Sequence, residues 1–226
     1  MFSKIATSAL FAGFCAGLIA ALLQIVFIQP VLLHAELYEG GSLVHFGAEA
    51  VSATPELPGF DIMRDGLSVL FSALIYVGYG LVLVACMGLA AEYGVGIDAR
   101  SGVIWGVAGF VALHFAPAVS LPPEVPGVAY TDITGRQIWW WGTVIATAAG
   151  LGLIAFGKGP VMLAVAVALL AAPHLIGAPE PETFTGPVPP ELAALFASRA
   201  LGVGLAAWVC LGALAGHFWR RENATA

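Results

Sequence analysis

Five histidines lie in this 226-residue chain, at positions 34, 45, 114, 174 and 217, and three of them keep company with a proline. Pro30 precedes His34 by four residues, Pro117 follows His114 by three, and Pro173 immediately precedes His174. Neutral imidazole ligates divalent transition metals, and it is costly to place in lipid without a partner. Proline frees a backbone carbonyl one turn earlier and kinks a helix. At membrane depth such irregular backbone is tolerated only where it is buried in protein or lines a watery cavity. His34, His114 and His174, with freed carbonyls and the carboxylates of Glu36 and Glu39, therefore make a candidate site for a divalent cation. Glu36 and Glu39 share a helix face if that helix continues past Pro30. Glu180, after the fifth apolar stretch, is a further candidate carboxylate. Imidazole suits Co, Ni, Cu and Zn, and the lack of a Cys or Met cluster argues against a dedicated Cu(I) site. A second reading stays open, a non-transporting accessory or structural subunit of a larger membrane complex: a histidine in a membrane span also serves as axial ligand to haem or chlorophyll, and His114 and His174 at matched depth would fit a facing pair. A histidine near a helix end also caps a carbonyl or meets headgroups.

Other chemistries find little footing. Gly157, Lys158 and Gly159 lack the spacing and the following Ser or Thr of a phosphate-binding loop, so no nucleotide is expected. Neither H-E-x-x-H nor G-x-S-x-G occurs, and no catalytic residues are expected. Cys15, Cys86 and Cys210 each stand alone in an apolar stretch, which fits neither a disulfide framework nor a metal knuckle. Asn223, Ala224 and Thr225 match a glycosylation sequon at what is expected to be the cytoplasmic end, where a chance match is the simpler reading.

The elements that must position the histidines are membrane helices. Of the residues, 60% are hydrophobic and 10% charged, against about a quarter charged in soluble domains, and the mean hydropathy is +0.94. A water-soluble globule is thereby excluded. Six apolar stretches reach or approach the span of a bilayer core, over about 5–29, 67–91, 102–119, 138–157, 160–177 and 195–218. They cover more than half the chain and leave no room for a separate soluble domain. The expected fold is all-α, a polytopic transmembrane helix bundle of six spans forming a single membrane domain over 1–226. The fourth and fifth stretches are separated only by Gly157, Lys158, Gly159 and Pro160 and the fifth is short, so a five-span arrangement with one tilted or re-entrant segment is the alternative. The first stretch follows Lys4 like a signal peptide but is too long for one and lacks an A-x-A exit, so it is expected to be retained. Phe14 before Cys15 argues against lipoprotein cleavage.

With the N-terminus cytoplasmic, the inner side collects Lys4, Arg100, Lys158, Arg220 and Arg221, and the outer side only Arg64, Arg136 and Arg199. Short cytoplasmic loops collect Lys and Arg, so this orientation is preferred. The outer side then holds eleven acids, Glu36, Glu39, Glu49, Glu56, Asp61, Asp65, Glu124, Asp132, Glu180, Glu182 and Glu191, against three inside. Such a face would gather cations and repel anions, and acidic loops also serve simply to keep loops soluble. A net charge of −6 with no basic run excludes nucleic acid as a partner.

Small residues at four-residue spacing, Gly13 with Gly17, Gly102 with Gly106 and Gly212 with Gly216, let helix backbones approach closely, and packing within the chain is the simplest use for them. Trp139, Trp140, Trp141 and Trp219 stand at span ends as interface anchors would. Gln24, Gln29 and Arg199 are expected to bond neighbouring helices.

Several segments taken together resemble the predicted cobalt transporter subunit CbtA family. They are Gln24 through Pro30 to His34, Ala35, Glu36, Tyr38 and Glu39; Leu121, Pro122, Pro123, Glu124, Pro126 and Gly127; Arg136, Gln137, Ile138, Trp139 and Trp140; Pro173, His174, Leu175, Ile176, Gly177, Ala178 and Pro179; and Val188 with Pro189. The resemblance implies a multi-pass protein of the bacterial inner (plasma) membrane assigned to Co²⁺ uptake for cobalamin synthesis, with a small single-span partner, CbtB, that carries a short His-containing segment. The family is often described with five spans. It supplies no established metal-site residues, so the ligand set of His34, His114, His174, Glu36 and Glu39 rests on the residues themselves.

Overall fold

A computed structural model describes residues 2–45, 51–129 and 131–224; Glu49, one of the outer-loop acids, and Thr225 of the sequon lie outside the described residues. Six helices run through the described residues: α1 Phe2–Glu39, α2 Ile62–Glu92, α3 Ala99–Ala118, α4 Ile133–Phe156, α5 Pro160–Ile176 and α6 Pro190–Ala224. No strand occurs among the described residues. All but α5 are long and apolar enough to cross a bilayer, while α5 has 17 residues, about 25 Å of rise.

Most of the helices outrun the apolar stretches because their polar ends are themselves helical. The segment carrying His34, Glu36, Tyr38 and Glu39 continues α1. Helix α2 begins five residues before its apolar run because Asp61 caps it, accepting from the Arg64 backbone N–H at 2.7 Å. Asp132 caps α4 in the same way, accepting from the N–H of Gly135 at 2.8 Å. Pro160 opens α5, and Gly159 and Gly177, with φ of 84° and 85°, flank it.

Two helices carry a π-helical turn, Gln24–Ile28 in α1 and Val111–Phe115 in α3. Each precedes a proline, Pro30 and Pro117, whose missing N–H leaves a carbonyl of that turn without its ordinary partner. The irregular backbone expected beside the prolines thus takes the form of a widened turn that keeps the helix continuous.

The chain packs into two compact units, one of Met1–Gln29, Pro58–Phe110 and Gly202–Ala226, the other of Pro30–Leu57 and Val111–Leu201. Glycines hold the first unit together. A Cβ on Gly13 would meet the backbone of Tyr76 and Val77, and one on Gly17 the backbone of Ala73, so α1 lies backbone to backbone on α2. Gly102 and Gly106 meet Gly212 and Gly216 in the same manner, joining α3 to the last turns of α6. The spaced glycine pairs therefore serve packing within the chain, with dispersion at close approach as the attraction. Lys4 Nζ donates to Asn223 Oδ1 at 2.9 Å, so the first turn of α1 and the last turn of α6 lie at one end of this unit. In the second unit α4 packs along α5, with Gly150 against Ala166 and Leu170.

Candidate functional site

All three proline-associated histidines fall in the second unit. His34 sits one turn past Pro30 on α1, stacked on Tyr38 with ring centroids 5.5 Å apart. Its Nε2 is enclosed and makes no hydrogen bond among the described residues. The helix does continue past Pro30, so Glu36 and Glu39 share a face, and both side chains are exposed. His114 belongs to the π-helical turn Val111–Phe115, half-buried with its Nε2 inside the protein.

His174 is the most firmly placed of the three. Its Nδ1 lies 3.3 Å from Ser120 Oγ, and its ring meets the edge of Trp139 at 6.2 Å. The Trp139 indole N–H in turn donates to the Pro173 carbonyl at 3.1 Å, and Thr143 Oγ1 donates to the Trp139 carbonyl at 2.9 Å. With Nδ1 engaged by a hydroxyl, Nε2 is the ring nitrogen left for a ligand, and a second-shell partner of this kind fixes ring orientation. Trp139 is a correction to its reading as an interface anchor: it is 9% exposed and spends its N–H inside the unit, where an unmet indole donor would be costly. Trp219, at 8%, is likewise buried, whereas Trp141 at 57% fits the anchoring role.

Around the start of α4, Arg136 pairs with Glu124 at 2.7 Å and also reaches Thr131 Oγ1 at 3.3 Å. Leu121, Thr131, Ile133, Arg136, Gln137 and Trp140 line a cavity of about 340 Å³ there. The Ala129 N–H donates to the Thr185 carbonyl at 3.0 Å, so the segment after α3 is laced to the one before α6.

Among the described residues no group of three or more His, Cys, Asp or Glu side chains is disposed to hold a metal ion. His34, His114, His174, Glu36 and Glu39 are therefore gathered into one unit without forming a ligand shell in this conformation. Charge is gathered with them: by sequence, the second unit has nine acids and three bases, the first five of each, so the whole net charge of −6 resides in the unit that holds four of the five histidines.

The polar cluster that sequence reasoning passed over lies in the first unit. Asp65 is 2% exposed and accepts four hydrogen bonds, from Gln29 Nε2 at 2.7 Å, Arg64 Nε at 2.9 Å, Arg64 Nη2 at 3.3 Å and the Asp61 N–H at 2.9 Å. The signal that points to it is the spacing of Asp61 before Arg64 and Asp65, a capping arrangement that starts the helix early enough to carry both charges inward. Gln29 bonds a neighbouring helix as expected.

No curated protein and no solved structure compared with the chain matches it. A family model described as "Probable cobalt transporter subunit (CbtA)" matches residues 2–220, which takes in all five candidate ligands. The match and the long apolar helices describe one kind of molecule, a multi-pass membrane subunit of a cobalt transporter, and the chain belongs to the CbtA family.

Proposed function

We propose that the protein binds Co²⁺ at the outer end of its second unit and passes it inward as part of an uptake system completed by a small single-span, CbtB-like subunit. The observation that carries this reading is the joint placement of four of the five histidines and the entire net negative charge in one unit. Acidic segments raise the local concentration of a divalent cation, and imidazole with carboxylate oxygen then supplies borderline ligands for it. His34, His114 and His174, with Glu36 and Glu39, are the ligands. They close on the cation through movement at the two π-helical turns, a kind of turn frequent at functional sites. One turn lies just before the Pro30 segment, and the other contains His114. The partner's histidines complete the shell where the chain's own side chains do not.

In this reading the N-terminus is cytoplasmic and all six helices cross the bilayer. The Lys4–Asn223 contact supports it, because a chain whose two ends share a side crosses an even number of times. Helix α5 is then a short crossing, flanked by glycines.

The test is uptake of radiolabelled cobalt by cells expressing the chain with and without its small partner, beside a His114→Ala, His174→Ala variant at matched membrane abundance. Uptake that needs both histidines supports the site. Uptake that persists without them removes it, and a visible absorption band in the purified protein would favour haem or pigment ligation instead.

A further inference from the structure

At the opposite end from Asp65, the first unit carries a feature that cation transport does not use. Arg100, in the first turn of α3, and Arg220, near the end of α6, line one open cavity of about 420 Å³ together with Ile97, Asp98, Ser101 and Ile104. The two arginine-bearing turns are fixed beside each other, because a Cβ on Gly216 would run into the Asp98 carbonyl and the Cα of Gly102. Neither guanidinium forms an ion pair among the described residues. Asp98, the carboxylate in the cavity wall, is already committed: its Oδ1 accepts from the Ser101 N–H at 2.8 Å, while Ser101 Oγ accepts from the Asp98 N–H at 2.9 Å. That reciprocal pair caps α3; the Asp98 charge also acts on Arg220, but one carboxylate against two guanidinium forks leaves the cavity rim cationic.

The surroundings select the kind of anion. Ile104, one turn deeper on α3, is 71% exposed, so an apolar wall continues from the charged rim toward the middle of the span. Lys4 and Arg221 belong to the same end. A phosphate with hydrocarbon attached matches both parts, and a soluble anion matches only the rim. We propose that this cavity is a binding site for the phosphate of an anionic phospholipid, held between Arg100 and Arg220 with its acyl chains along Ile104. The proposal stands independently of the cobalt site, since it uses none of its residues.

The test uses the full chain purified in neutral detergent, with its thermal unfolding midpoint followed as phosphatidylglycerol, phosphatidylcholine or inorganic phosphate is titrated in. Phosphatidylglycerol should raise the midpoint saturably, and the other two should not. In the Arg100→Gln, Arg220→Gln variant the half-saturating lipid concentration should rise about a hundredfold, about tenfold for each of the two charge-assisted hydrogen-bonding groups removed. Should that variant not fold, Arg100→Lys with Arg220→Lys keeps the charge, loses the fork, and should weaken binding in the same direction. Equal titrations in the native protein and a folded variant, or no effect of phosphatidylglycerol, would overturn the site. An equal effect of inorganic phosphate would overturn its assignment to lipid.

Discussion

Gln29 Nε2 donates to Asp65 Oδ1 at 2.7 Å, tying the residue before Pro30 on α1 to the first turns of α2. The bond closes the π-helical turn Gln24–Ile28 against a carboxylate that Arg64 and the Asp61 N–H already hold. A carboxylate 2% exposed is tolerable only with its lone pairs met. Gln29→Ala should therefore lower stability by about 1–3 kcal/mol. Asp65→Ala should cost more, since it strands the Arg64 guanidinium and the Gln29 amide together, and Asp65→Asn should fall between them. Unfolding midpoints in detergent check the order, and equal midpoints for all three would contradict the network.

The number and rough position of the helices were legible in hydropathy alone, because a span needs little beyond apolar length. Asp65 was not legible that way. A hydropathy reading starts the second span near residue 67 and leaves Arg64 and Asp65 to the loop, whereas the Asp61 cap starts the helix at Ile62 and turns Asp65 inward. The prolines correctly marked irregular backbone beside His34 and His114, since a missing N–H is a local property. Whether three histidines on three helices meet depends on tertiary packing, which spacing along one chain does not encode. Trp139 was misread for a related reason: three tryptophans at a span end look alike in sequence, and only the Pro173 carbonyl distinguishes the inner one.

The glycine contacts give opposite signs for one substitution. Gly→Ala inside a helix ordinarily stabilises by about 0.5–1 kcal/mol. That should hold for Gly142→Ala, where nothing lies within 4 Å of an added Cβ. At Gly212 the added Cβ would strike the Gly102 carbonyl and the Gly106 backbone. Gly212→Ala should instead destabilise by about 1–3 kcal/mol through overpacking. Midpoints that move the same way in both variants would place α3 and α6 elsewhere.

The 2.9 Å contact between Lys4 and Asn223 fixes an expectation for topology. With both ends cytoplasmic, as proposed, alkaline phosphatase fused at either end should be inactive, and green fluorescent protein fused at either end should fluoresce. A fusion to the segment between α5 and α6 should give the reverse. Ends that report opposite sides would mean five crossings, with α5 failing to span.

Removing one hydrogen-bond donor tests how His174 is held. Trp139→Phe keeps the ring that edges His174 and deletes the N–H that meets the Pro173 carbonyl. The fold should lose about 1 kcal/mol. If His174 is a cobalt ligand oriented by this contact, the half-saturating cobalt concentration should rise about tenfold, the equivalent of some 1.4 kcal/mol, with the maximal rate nearly kept. A fall in maximal rate with unchanged half-saturation would assign Trp139 to stability alone.

The segregation of charge makes a prediction that needs no ligand geometry. Because the whole net charge of −6 falls in the unit with His34, His114 and His174, cation capture should depend on that unit's field. Fields from exposed carboxylates are screened within about 8 Å at physiological ionic strength. Initial uptake at subsaturating cobalt should therefore fall as inert salt is raised, and uptake at saturating cobalt should not. Glu182→Gln with Glu191→Gln, which removes charge from the segment after α5 and the first turn of α6 and touches none of the candidate ligands, should flatten that salt dependence and raise half-saturation. Exchanging Glu36 and Glu39 for Gln should do more if those two are, as proposed, ligands as well as charges. Equal effects from the two pairs would reduce Glu36 and Glu39 to part of the field, leaving the histidines as the site.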